Sequence, residues 1–166
     1  LSYSQTVARP TYREFAEYEA YDPFGDEIVR GNPNLTMSSI ENYDARWEWF
    51  PSPGAVLSVG GFYKKLTDPI EKVIVTFGGG IVSFENRAEA TVYGAEFEAR
   101  HKLDLVDELL ADFSVGVNFS YIISEVPLTE QEKINDPNSP DPRQLYDQSE
   151  WIANVDFSWD KPRWGT

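Results

Sequence analysis

"ATVYGAEFEARH", residues 90–101, alternates with a period of two. Tyr93, Ala95, Phe97, Ala99 and His101 fall on one side, and Gly94, Glu96, Glu98 and Arg100, followed by Lys102, on the other. Successive side chains of a β-strand point to opposite faces of its sheet, so this stretch reads as a strand with one greasy and one ionic face. A soluble sheet would turn the greasy face to a core and the ionic face to water. An outer-membrane barrel would turn the greasy face to lipid and the ionic face to a wet lumen.

Five further segments share the pattern. "LSYSQTVAR" (1–9) sets Leu1, Tyr3 and Val7 against Ser2, Ser4 and Thr6, and "NYDARWEWF" (42–50) sets Tyr43, Ala45, Trp47 and Trp49 against Asp44, Arg46 and Glu48. "AVLSVGGFYKK" (55–65) sets Leu57, Val59 and Tyr63 against Ser58, Gly60 and Lys64, with Phe62 out of place on the polar side. "FSVGVNFSYI" (113–122) alternates Phe113, Val115, Val117, Phe119 and Tyr121 with small polar residues, and "WIANVDFSWD" (151–160) does the same with Trp151, Ala153, Val155, Phe157 and Trp159. Each is long enough for a tilted strand to cross a bilayer, which takes about 9–11 residues, whereas soluble strands average about 5–6.

The connections alternate in length. "PSPG" (51–54) and "LDLVDELLAD" (103–112), the latter with a short turn of helix, are brief, whereas Thr11 to Met37, Thr67 to Ala88 and Glu125 to Ser149 are long. Loops of that length are uncommon inside a compact domain, and short turns at one end with long loops at the other are how an outer-membrane barrel is built. Trp151 and Trp159 stand at the two ends of one greasy face and Tyr43 and Trp49 at those of another, as aromatic belts at the membrane interfaces would. "NDPNSPDPRQ" (135–144) is too rich in proline for a helix or central strand. "FGGGI" (77–81), between "KVIV" and "IVSF", reads as the tip of a hairpin, and "LTEQEKIND" (128–136) as a helical turn.

Composition narrows the function. The chain of 166 residues has 14 Lys and Arg against 28 Asp and Glu, no cysteine and one histidine, His101. Its net charge of -14 opposes nucleic-acid binding, which needs cations on phosphates. Neither a disulfide nor a thiolate metal site is available, and no run of about 18 apolar residues encodes a transmembrane helix. "LSYSQTVARP" lacks the basic start and apolar core of a secretion signal and opens on a strand pattern, which points to a piece of a longer protein. Gly78-Gly79-Gly80 lacks the Lys-Ser or Lys-Thr of a phosphate loop. Glu96 and Glu98 form a carboxylate pair, but with Arg100 and Lys102 beside them they read as a charge-paired wall rather than an acid/base site. Asp136, Asp141 and Asp147 lack the Asp and Gly spacing of a calcium loop. No catalytic residue, cofactor or metal is expected, and the chain reads as no enzyme.

"YSQTVARPTYREF" (3–15), "GNPNLTMSSIENYDARWEWFPSPGAVLSVGGFYKKLTDPIE" (31–71) and "ENRAEATVYGAEFEAR" (85–100) resemble, in this order, the carboxy-terminal half of the barrel of TonB-dependent outer-membrane receptors. Arg9-Pro10 closing a strand, "GNPNL" before the descending strand, "FYK" and "DPI" after the short turn, and "YGAEFE", where the family commonly has Tyr-Gly-Val-Glu, carry the likeness. The resemblance implies an all-β fold, an antiparallel transmembrane barrel segment of about six long strands spanning 1–166. The same resemblance implies that the segment would be part of a plugged barrel of roughly 22 strands.

It also implies import of a scarce nutrient (iron chelate, vitamin or oligosaccharide) through the outer membrane of a Gram-negative bacterium. The plug, the energy-coupling box and a final strand ending in an aromatic residue are absent from this sequence. The expected partners are outer-membrane lipid, the imported small ligand, and the TonB complex through the missing amino-terminal part. Trp47, Tyr93, Phe97, Phe119, Trp151 and Trp159 would face lipid, and Glu96, Glu98 and Arg100 the lumen. Tyr12, Arg13, Arg30 and Arg143, on the long loops, are the candidate ligand contacts, since aromatic and Arg groups recognise sugars and anionic chelates. The alternative is a soluble, secreted β-sandwich that binds carbohydrate through exposed aromatics, its greasy faces buried between two sheets.

Overall fold

A computed structural model describes residues 1–76, 80–105, 107–135, 137–146 and 148–159. Its strands are β1 (Ser2–Ala8), β2 (Glu19–Asp22), β3 (Glu27–Arg30), β4 (Ser38–Trp49), β5 (Val56–Thr67), β6 (Ile70–Thr76), β7 (Ile81–Asn86), β8 (Glu89–Lys102), β9 (Phe113–Glu125) and β10 (Trp151–Trp159). Two short helices, α1 (Tyr12–Phe15) and α2 (Glu130–Asn135), lie in the long connections. Phe77, Gly78 and Gly79 of the expected hairpin tip, Val106, Asp136 and Asp147, together with the end of the chain from Asp160, lie outside the described residues.

The six alternating segments form one antiparallel sheet in the order β1-β4-β5-β8-β9-β10, so each long strand pairs with the next long strand along the chain. β4, β5, β8 and β9 run 12, 12, 14 and 13 residues. That exceeds the length a tilted strand needs to cross a hydrocarbon core, about 9–11 residues. β4 starts at Ser38 rather than Asn42, so Tyr43 sits mid-strand and not at an end. The polar run Ser38-Ser39-Ile40-Glu41 hid this extension, because its alternation is weak. Between β4 and β5 the turn closes with the Ala55 N–H donating to the Ser52 carbonyl at 3.0 Å, and Gly54 takes the positive φ of 83° that favours glycine.

Register turns the alternation into two continuous faces. Tyr3, Tyr43, Tyr63 and Tyr93 occupy one row across four strands. Trp47, Val59, Phe97, Phe119 and Ala153 form another row on the same face. Trp151 and Trp159 open and close β10 on that face, where Phe113 stacks on Phe157 and Trp159 with ring centroids 5.4 and 6.1 Å apart. Glu48, Ser58, Glu98, Asn118 and Asn154 form a row of the other face. Phe62, polar-sided by sequence, has room there because its row partner is Gly94; a Cβ at Gly94 would lie 2.7 Å from the ring and 2.2 Å from the Tyr121 carbonyl.

The greasy face is uncovered. Trp47, Phe157, Trp159 and Val155 are 58%, 65%, 58% and 73% exposed, a continuous apolar surface of the kind that marks a membrane or partner rather than a water-facing sheet. The sandwich alternative requires this face to be buried against a second sheet, and it is not. Buried apolar residues lie mostly among the long connections and at the strand ends from which they rise: Val29, Leu35, Val82, Ala90, Val126 and Leu128. Those connections are folded, and they hold the second sheet.

Candidate functional site

The first long loop starts with a T-x-x-E signature. Thr11 caps α1 through a reciprocal box, its hydroxyl accepting from the Glu14 N–H while the Glu14 carboxylate accepts from the Thr11 N–H at 2.7 Å. After α1 the chain makes the β2–β3 hairpin, turning at Asp22-Pro23-Phe24-Gly25-Asp26, where the Asp22 side chain accepts from the Phe24 N–H at 3.0 Å and Tyr21 donates to Asp26 at 2.7 Å. Pro, Gly and Asp in that run are turn residues, so the hairpin had a legible signal that four-residue strands with mixed charges obscured. The second long loop is the β6–β7 hairpin expected from "KVIV" and "IVSF".

The two hairpins join. β3 pairs with β7 in parallel, Ile28 with Ile81 and Val29 with Val82, which makes one four-stranded sheet in the order β2-β3-β7-β6. Asn32 donates to the Phe84 carbonyl at 2.8 Å, and the Asn86 side chain accepts from the Thr36 N–H at 2.8 Å while donating to the Asp68 carbonyl at 2.7 Å. The third long loop begins beside β9 with the Val126–Arg143 bridge and carries α2, whose start is capped by Thr129 and Glu132 in the same reciprocal manner.

A closed ring of two Arg and two Glu ties the third loop to the second. Glu71 on β6, 3% exposed, accepts from Arg87 Nε at 3.3 Å and from both terminal nitrogens of Arg143 at 3.1 and 2.6 Å. Glu132 accepts from Arg87 at 2.7 and 3.2 Å and stands 3.6 Å from Arg143. Four charges that alternate in sign and share hydrogen bonds can be buried where a lone one cannot.

These contacts show where the candidate residues stand. Arg13 is paired with Asp22 at 2.6 Å, Arg30 with Glu19 at 2.6 Å, and Arg143 with Glu71. Tyr12 is 83% exposed, its ring 6.4 Å from that of Tyr18 in a stacked arrangement. The structure therefore does not gather the four into one pocket: two lie on the first loop's α1, one on its hairpin and one in the third loop. On the long sheet, Trp47, Tyr93, Phe97, Phe119, Trp151 and Trp159 share the greasy face, and Glu96, Glu98 and Arg100 the opposite one. There Arg46 bridges Glu48 and Glu98 at 2.7 and 2.8 Å, and Arg100 stands 3.6 Å from Asp156. Lys64 lies over the Phe62 ring at 5.7 Å, nearer the loops. Among the described residues no group of three or more potential metal ligands exists.

Proton equilibria in the loops follow from these partners. The Arg13 guanidinium, and after it the Phe24 N–H, hold Asp22 below the ordinary carboxylate range; the Leu128 N–H and then Lys133 do so for Asp141. Burial pushes Glu132 up, but hydrogen bonds from the Thr129 N–H and hydroxyl and the charges of Arg87 and Arg143 outweigh it, so the group ends lowered. A carboxylate lowered by folding stabilises the fold fully above its unfolded value, and that contribution is lost as pH falls through the lowered value. The loops are thus expected to stay ordered from neutral to weakly acidic pH and to open below the ordinary carboxylate range. Loss of hydrogen-exchange protection at the Phe24 and Leu128 amides in that window would show it; constant protection would refute it.

A family model described as "TonB dependent receptor-like, beta-barrel" matches residues 1–166. Among solved structures the chain is similar to the siderophore receptor PirA from Pseudomonas aeruginosa, with a TM-score of 0.58 and 17% identity over 95% of this chain and 27% of that one. A search of curated proteins finds no match.

Proposed function

Since this chain belongs to the TonB-dependent receptor β-barrel family, we propose that it forms one wall of an outer-membrane receptor that binds a scarce nutrient at its long loops and admits it by gated, TonB-driven passage. The observation that carries this reading is the pairing of an uncovered apolar face on strands of membrane-spanning length with folded loops gathered at one end of the sheet. The greasy face meets lipid. The ionic face, with Glu96, Glu98 and Arg100, lines the lumen. No step of bond chemistry is required, because import by such a wall rests on binding and on movement of neighbouring parts.

In this reading the exposed Tyr12 touches the ligand, while Arg13, Arg30 and Arg143 position the loops through Asp22, Glu19 and Glu71. The similar solved structure is that of a siderophore receptor, which favours an iron chelate among the possible nutrients. The test is growth on the nutrient as sole supply in cells carrying the full-length receptor, with and without a TonB complex. Uptake is expected only with TonB, and combined replacement of Tyr12, Arg13, Arg30 and Arg143 by Ala is expected to lower it at least tenfold. TonB-independent uptake would overturn the reading, and unchanged uptake in the quadruple variant would remove these loops from the ligand's path.

A further inference from the structure

We infer that the three long loops act as a charge filter, excluding polyanionic ligands from the mouth and accepting a neutral or cationic one. This rests on the receptor reading above and deepens it by naming the class of ligand. Within Thr11–Met37, Thr67–Ala88 and Glu125–Ser149 there are six Lys and Arg against fifteen Asp and Glu.

Each of the six cations already has a carboxylate partner. Arg13 holds Asp22, Arg30 holds Glu19, Lys72 holds Glu27, Arg87 and Arg143 share Glu71 and Glu132, and Lys133 holds Asp141 at 3.1 Å and Glu130 at 3.3 Å. A polyanion such as a ferric complex of three catecholates would meet only cations whose charge a carboxylate already balances, inside a field with nine negative charges in excess. Down the ionic wall, Arg46 and Arg100 are likewise paired with carboxylates.

A second observation names what the loops offer instead. Tyr12, Phe15, Tyr18, Tyr21 and Phe24 of the first loop are 83%, 47%, 40%, 62% and 99% exposed. Aromatic faces set among carboxylates attract cations and stack on flat neutral groups. A surface with an excess of one charge sign also concentrates ligands of the opposite sign, raising their capture by about 10-fold or more at low salt. A neutral or singly positive ferric complex of three hydroxamates carries the charge that such a surface admits.

The experiment uses the full-length receptor in outer-membrane vesicles, with Phe24→Cys or Tyr12→Cys. Each variant reacts with a cationic (trimethylammonioethyl) or an anionic (sulfonatoethyl) methanethiosulfonate, and rates are compared with those of a free thiol. The ratio of cationic to anionic rate is expected to rise about tenfold or more over the free thiol and to fall towards it in molar salt. A ratio equal to or below the free thiol's overturns the inference. A neutral ferric trihydroxamate and a trianionic ferric tris-catecholate are then offered to Phe24→Cys. Protection of the thiol by the trianion at equal or lower concentration than by the neutral complex also overturns it. The labelling ratio needs no transport, so loss of TonB-dependent uptake would sink the receptor reading while leaving the charge filter separately readable.

Discussion

Glu71→Gln is expected to free the third loop from the second. The Glu71 carboxylate is enclosed by two guanidinium groups, and its side chain is only 1% exposed. Removing one member of a buried ion cluster leaves the others desolvated without their counter-charge, at a cost of about 3–5 kcal/mol. Here the lower end, about 3 kcal/mol, applies, because Glu132 still receives Arg87 in bidentate fashion and stands near Arg143. The cost falls on the loops rather than on the long sheet, so heat-resistant β structure in detergent is expected to persist. Trypsin cleavage after Lys133 and Arg143 on intact cells is expected to accelerate at least tenfold. The double variant Glu71→Gln, Arg143→Gln is expected to resist trypsin at Lys133 better than Glu71→Gln alone, since it takes away the stranded cation with its partner. Cleavage at the wild-type rate in Glu71→Gln would mean that the ring contributes nothing to loop order.

Phe97→Arg and Glu96→Arg differ by one position along β8, and opposite results are expected of them. Phe97 sits near the middle of the strand on the greasy face, in a row with Val59 and Phe119. An Arg on the lipid side of a membrane barrel costs about 2–4 kcal/mol near the midplane. Glu96 lies on the ionic face between Gly60 and Ser120, where a long cation has water and neighbouring carboxylates within reach. Its replacement is expected to stay within about 0.5 kcal/mol of wild type, as surface changes usually do. Denaturant titration of the full-length receptor refolded in lipid vesicles measures both. A soluble arrangement of this sheet would give similar, small effects at the two positions, and that result would remove the assignment of faces.

The long sheet was legible because period-two alternation is a local property of each strand, and "YGAEFEAR" or "FSVGVNFSY" declare both faces within a few residues. Lengths were legible to within a few residues as well, except where Ser38 to Glu41 continue β4 with little contrast between the faces. The loop sheet was only half visible. β6 and β7 carry β-branched runs, but β2 and β3 are four residues each with Glu, Asp and Arg among them, and their turn chemistry was the better clue. Parallel pairing of β3 with β7 leaves no mark on either strand, since it depends on where the rest of the sheet puts them. Glu71 was opaque for the same reason: it reads as one polar position in "DPIEKVIV", and its burial depends on Arg87 and Arg143 arriving from elsewhere in the chain. Arg143 itself stood out as a candidate contact by its place in a loop, and its partners could not be read from that place.

The parallel junction of β3 and β7 also bears on the order of assembly. Its residues stand about fifty positions apart, and the β4–β5 hairpin lies between them. Chain-closure entropy opposes so distant a contact until the intervening strands have paired and brought the two hairpins side by side. The loop sheet is therefore expected to be the last part of this region to form, so that its appearance would report that the strands beneath it are already in register. A change of length in one hairpin would misalign the other, so the two loops are expected to tolerate insertions only as a pair.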